Sequence, residues 1–204
     1  MIRFEEFCGG VLATNAFLLR GPSGNVLIDA PQGADAHFAG ERIDLLLLTH
    51  GHFDHVADAA AIQRRHGCRL HYHPETVPMV SDPHFFRDWG FALDVEPIDL
   101  ARGEILTATP DVELAGLNFA VLEVPGHCPG SLCFHLPAEN VLFGGDVLFR
   151  GGIGRWDLPG GDHELLVTGI RDKILPLPDG TRVFPGHGPA TTVGHERQTN
   201  AWLQ

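Results

Sequence analysis

Apolar residues along this chain fall into short runs broken by turn-forming residues. Phe17 to Leu19 and Val26 to Asp29 are two such runs, separated by "RGPSGN", whose Gly21, Pro22 and Gly24 interrupt regular structure. That spacing predicts a β-hairpin. Ile43 to Leu48 is apolar except at Asp44, the pattern of a strand covered on both faces. The following "VADAAAIQRRHG" has the composition of a helix, with Gly67 as its stop. Short strands are then expected around Arg69 to Tyr72, Val112 to Leu114, Phe119 to Val124, Leu132 to Leu136 and Asn140 to Phe143. A second helix, "GDHELLVTGIRDKIL", starts from Asp162 and ends at Pro176. Arg182 to Phe184 reads as a last strand before "PGHGP", and His195 lies on a final helix, on its surface. His84 to Leu93 fits either a lid-like excursion or an irregular helix.

Strands precede helices in each half, so the fold class is mixed α/β. No repeat, low-complexity tract or linker interrupts the 204 residues, and residues 1–204 are expected to form one domain. A hydrophobic fraction of 44% is enough for a real core. With a net charge of -12 and only 14 lysines and arginines, the chain is a poor nucleic-acid binder. The start, "MIRFEEF", has no basic segment leading into an apolar one, and no window approaches the roughly 20 apolar residues of a membrane span. A cytoplasmic protein without a membrane partner is expected. Cys8, Cys68, Cys128 and Cys133 form no C-x-x-C pair, which predicts reduced, buried thiols. Cys128 is expected to pack away from its neighbour His127. The sequence says nothing about oligomeric state.

What stands out is histidine: 13 of them against one tyrosine and one lysine. "THGHFDH" crowds His50, His52, Asp54 and His55 into the turn between a strand and a helix, where side chains a few positions apart can converge. Imidazoles and carboxylates suit Zn²⁺ or Fe²⁺, and a hydrolytic metal needs several protein ligands and an open position. Four donors in one turn are too many for one such ion with further ligands elsewhere, and suit sharing between two. Three other strand ends each offer one more donor beside glycines: His127 in "PGHCPGS", Asp146 in "GGD" and His187 in "PGHGP". Asp29 closes the strand "VLIDA" and is a candidate partner for a ligating histidine. His71 and His73 in "HYHPE" alternate like strand residues and are read as facing solvent.

Together "THGHFDH", the "GH" at 126, the "GD" at 145, "GRWDLPGG" and "PGHGP" resemble the metallo-β-lactamase superfamily, and within it the short bacterial glyoxalase II-like hydrolases (hydroxyacylglutathione hydrolases) that lack a C-terminal helical domain. The likeness runs from the hairpin near Phe17 to the end of the chain. It implies a four-layer αβ/βα sandwich with the metals at one edge of the sheets. It also implies that His50, His52 and His127 hold one divalent ion, that Asp54, His55 and His187 hold a second, and that Asp146 bridges them. Zinc is the first candidate, iron or manganese the others. The implied reaction is hydrolysis of a small-molecule thioester by a hydroxide shared between the metals, with Asp54 orienting it. Long glyoxalase II enzymes grip glutathione with a lysine and a tyrosine; here Arg155 stands at the lysine's place and Asp157 at the tyrosine's. Two other outcomes stay open within the superfamily. One is a persulfide dioxygenase with a single iron on two histidines and an aspartate; the other is a different hydrolase, such as a lactonase.

Overall fold

A computed structural model of the chain describes residues 2–87, 89–90 and 95–204. Its first sheet holds six strands in the spatial order of the chain: β1 (Phe4–Gly9), β2 (Thr14–Gly21), β3 (Gly24–Ile28), β4 (Leu45–Leu47), β5 (Arg69–Tyr72) and β6 (Gly103–Ile105). The second sheet begins with β7 (Thr109–Leu114), β8 (Leu117–Glu123), β9 (Leu132–Leu136) and β10 (Val141–Gly145). A two-stranded ribbon, β11 (Leu148–Phe149) and β12 (Gly152–Ile153), intervenes before β13 (Arg182–Pro185) and β14 (Thr191–Thr192) complete the sheet in the order β14-β13-β10-β9-β8-β7. Both sheets are mixed. β1, β2 and β3 run antiparallel while β3 to β6 run parallel; β7 to β10 are antiparallel and β10 pairs parallel with β13.

Each central strand divides its apolar residues between two faces with period two. Phe17, Leu19, Val26, Ile28, Leu45 and Leu47 meet Phe134, Leu136, Val141, Phe143 and Phe184 between the sheets. Leu18, Leu27, Leu46 and Leu48 face outward from the first sheet, and Cys133, Leu142 and Val183 outward from the second. Being covered on both sides is why Leu45–Leu47 and its neighbours read as an unbroken apolar run. The outer face of the first sheet is closed by α1 (Ala34–His37), α2 (Phe53–Val56), α3 (Ala59–His66) and α4 (Val77–Ser81). The outer face of the second is closed by α5 (His163–Gly169), the wider π turn Ile170–Ile174 that continues it, and α6 (Val193–Thr199). Four layers result, as expected: helices, sheet, sheet, helices. Among the described residues no helix is long and apolar enough to cross a membrane.

Several expectations need correction. The helix read through "VADAAAIQRRHG" begins later than expected: Val56 ends α2 and the helix itself is Ala59–His66, because Asp58 before it is tied elsewhere, its carboxylate accepting from Gly33 N and Asp35 N and its amide donating to Ala30 O. His71 and His73 are buried, not solvent-facing. His71 shares the inter-sheet face with Leu45 and Leu47, and the ring of His73 fills the space beside Gly130 where a Cβ would stand. Of the cysteines, all unpaired, Cys8 is exposed while the other three are buried as expected. Cys128 packs its sulfur against Met79 Sδ at 3.7 Å. Within His84 to Leu93, Phe85–Arg87 forms a 3-10 turn, and residues 88 and 91–93 lie outside the described residues.

Candidate metal centre

All seven candidate ligands emerge at the same end of the two sheets. β4 runs into His50 and the N-terminus of α2, which carries Asp54 and His55; the loops after β8, β10 and β13 deliver His127, Asp146 and His187. Hydrogen bonds stitch the sheets together at this end. Asn15 N donates to Gly186 O at 2.7 Å, Leu132 N donates to Thr49 O at 2.7 Å, and Asn15 Nδ2 donates to the carbonyls of Pro185 and Gly188. Gly145, just before Asp146, has φ +51, and a Cβ there would stand 2.7 Å from the Thr49 side chain. Glycine is required at that close approach.

Three ring nitrogens converge: His50 Nε2, His52 Nδ1 and His127 Nε2 lie 2.9 to 3.3 Å apart. Beside them lies a second group. Asp54 Oδ2 stands 3.6 Å from His55 Nε2 and 3.2 Å from His187 Nε2. Asp146 faces both, with Oδ2 3.5 Å from His127 Nε2 and 3.3 Å from His187 Nε2, and Oδ1 3.2 Å from His55 Nε2. The ligand atoms of His50, His52 and His127, and those of Asp54, His55 and His187, each lie within 4.8 Å of one another.

The outer nitrogens of four rings are already committed, which orients each ring. His55 Nδ1 donates to Asp29 Oδ2 at 2.7 Å, His127 Nδ1 to the Arg155 carbonyl at 2.7 Å, and His187 Nδ1 to the Leu12 carbonyl at 3.0 Å. The Thr49 hydroxyl gives its proton to Asp29 Oδ2 and so accepts from His50 Nδ1 at 3.0 Å. Thr49 N also donates to Asp29 Oδ1, and Thr14 Oγ1 donates to Asp54 Oδ2 at 2.6 Å. Asp29 itself sits in the left-handed region, φ 59. The expected role of Asp29 as a histidine partner matches this geometry. Thr14, Asn15 and the Leu12 carbonyl carried no signal in the sequence, since their contacts lie tens of residues away along the chain.

With their outer nitrogens donating, His50 and His127 aim unprotonated Nε2 atoms at one another, and His52 can supply at most one proton between them. A shared cation resolves this conflict. The spacing also suits one, because nitrogens about 2.0–2.1 Å from a tetrahedral zinc ion stand roughly 3.3 Å apart. Burial drives His50, His52 and His127 below the ordinary imidazole value, the neutral form that ligation needs. Burial also works against a charged His55 and His187, but the surrounding carboxylates win. Asp146, Asp54 and Asp29 hold His55 well above its usual value, and hydrogen bonds to Asp146 and Asp54 bring His187 up to about 10. Burial opposes ionisation of Asp54 and Asp146 too, yet His55 and His187 keep both below the carboxylate range.

A cleft of about 240 Å³ opens over these groups, walled by Leu12, Phe53, Trp89 and Leu158 and bordered by Arg155.

A sandwich of two mixed sheets carrying such a histidine and aspartate cluster at its strand ends is the architecture of a metal-dependent hydrolase, and the chain belongs to the metallo-β-lactamase superfamily, whose family model matches residues 9–187. It is 40% identical over 173 residues to hydroxyacylglutathione hydrolase GloC of Haemophilus influenzae, an alignment covering 80% of this chain and 79% of that protein. Among solved structures it is similar to BLEG-1 B3 metallo-beta-lactamase, with a TM-score of 0.88 and 36% identity over 98% of this chain and 99% of the other. It is also similar to TTHA1623 in a di-iron-bound form, with a TM-score of 0.84 and 37% identity over 98% of this chain and 100% of the other.

Proposed function

We propose that this protein is a dinuclear-metal hydrolase that cleaves thioesters, with S-acylglutathiones of the glyoxalase II type as the first class to test. His50, His52 and His127 would hold one divalent ion and Asp54, His55 and His187 the other. The observation that carries this reading is Asp146, one buried carboxylate whose two oxygens stand within 3.5 Å of His55, His127 and His187 and so face both groups. Ions so held would supply a water acidic enough to be hydroxide at neutral pH and a Lewis acid for the substrate carbonyl. Zinc is the expected metal, and the similar protein solved with two irons supports testing iron beside it. Identity to GloC supports the thioester class.

The chain's own residues supply position. Asp54, whose carboxylate accepts from the Thr14 hydroxyl, would orient the attacking water, and the apolar walls Leu12, Phe53, Trp89 and Leu158 would keep bulk solvent from the reacting bond. A thioester's leaving thiolate is stable by itself, so no strong general acid is demanded of the cleft. The alternative, a one-iron persulfide dioxygenase, would make no use of Asp54, His55 and His187 as a second complete set. The test is a substrate panel on zinc-loaded and iron-loaded protein: S-lactoylglutathione, a lactone, a β-lactam and glutathione persulfide. Thioester turnover without oxygen uptake supports the proposal. Oxygen uptake with the persulfide and no thioester turnover overturns it.

A further inference from the structure

The cleft over the metal centre has one cationic side chain other than histidine on its described lining, Arg155. Its backbone is pinned, because the Arg155 carbonyl accepts from His127 Nδ1 at 2.7 Å. Its guanidinium is engaged as well. Nε donates to Asp157 Oδ1 at 2.5 Å and an η nitrogen donates to Asp157 Oδ2 at 3.2 Å, a two-point pair across a turn of three residues. Both side chains are more than half exposed, so the pair is easily opened, yet Asp157 stays within two residues of Arg155 wherever its side chain swings. A substrate carboxylate arriving at Arg155 therefore meets a resident carboxylate of equal charge. It also approaches a chain whose net charge is -12, and the other walls, Leu12, Phe53, Trp89 and Leu158, are apolar. The mouth of the cleft suits an uncharged arm better than an anionic one.

We propose that Asp157 is a specificity-determining residue that cancels the charge of Arg155, and that the preferred thiol half of the substrate is an uncharged arm instead of the two carboxylates of glutathione. This rests on the thioester-hydrolase reading. Glutathione thioesters are then turned over, but with a high KM.

The test uses metal-loaded protein and two thioesters with the same acyl group, S-lactoylglutathione and the uncharged S-lactoyl-N-acetylcysteamine. Asp157→Asn removes the charge and keeps the shape. One unit charge a few ångströms away in a nearly aqueous dielectric is worth about fivefold in binding. KM for the glutathione thioester should fall by about that factor, with kcat and the KM of the uncharged ester unmoved. High salt should erase the gain by screening the freed arginine, and adding Arg155→Gln should abolish it. An unchanged or raised KM for the glutathione thioester in Asp157→Asn overturns the inference, as does a wild-type KM already lower for the glutathione ester. If fully loaded wild-type protein cleaves neither ester, the thioester reading itself fails and takes the inference with it.

Discussion

Asp29 offers the sharpest test of how the centre is held together. Its carboxylate is buried and accepts three hydrogen bonds, from Thr49 N, Thr49 Oγ1 and His55 Nδ1, at 2.7 to 2.8 Å. Asp29→Asn preserves volume, and asparagine tolerates the left-handed backbone at φ 59. The amide can keep its oxygen toward His55 and the Thr49 hydroxyl, but its NH₂ then opposes Thr49 N–H. One buried donor is left unpaired, at about 1–3 kcal/mol. In a chain of this size that lowers the melting temperature of the metal-free protein by about 2–12 °C. Losing the carboxylate behind His55 should also weaken ion binding by about 10–100-fold. Thermal melts of metal-free protein and zinc titration against a competing chelator measure the two effects separately. Unchanged zinc affinity in a variant that shows the melting shift would refute the claim that Asp29 orients a ligand, leaving it a purely structural residue.

Asp54→Ala should keep the fold, judged by its melt, and lose at least about a hundredfold in kcat, because under the proposed function the residue would both complete an ion site and orient water; near-normal turnover would sink the two-ion hydroxide scheme. Gly186→Ala would push a Cβ into Asp146 Oδ1 and the His55 ring, so zinc affinity should drop by at least about tenfold while circular dichroism stays native. Thiol labelling of native protein should find one fast cysteine, Cys8. Burial raises Cys68 to about 11 and Cys128 and Cys133 to about 12, so these stay protonated at pH 9 and react only on unfolding; two or more fast thiols would contradict that packing.

Strands covered on both faces were the most legible part of the fold. Ile43 to Leu48 and Leu132 to Leu136 announce themselves because every apolar side chain in them lands in a core, whichever way it points. Edge strands hid. β1 carries Glu5 and Glu6, and β6 has Ile105 exposed, so neither shows a periodic apolar face, and each exists through pairing with a neighbour. His71 and His73 were misjudged for a related reason: alternation tells which residues share a face, and only the distant second sheet and the Gly130 loop decide that those faces are covered. In the candidate site the seven donors were readable because strand ends, glycines and ligand-type residues coincide locally. The supports from Thr14, Asn15 and the Leu12 carbonyl were not, since contacts spanning 40 to 175 residues leave no local pattern.

The proposed hydrolase chemistry stands on two ions sharing Asp146. Elemental analysis of untagged protein, purified without chelator and then supplied with zinc or iron, tests it most directly. Two ions per chain are expected, falling to one in His187→Ala. One ion per chain at saturating metal, with His187→Ala unchanged, would contradict it.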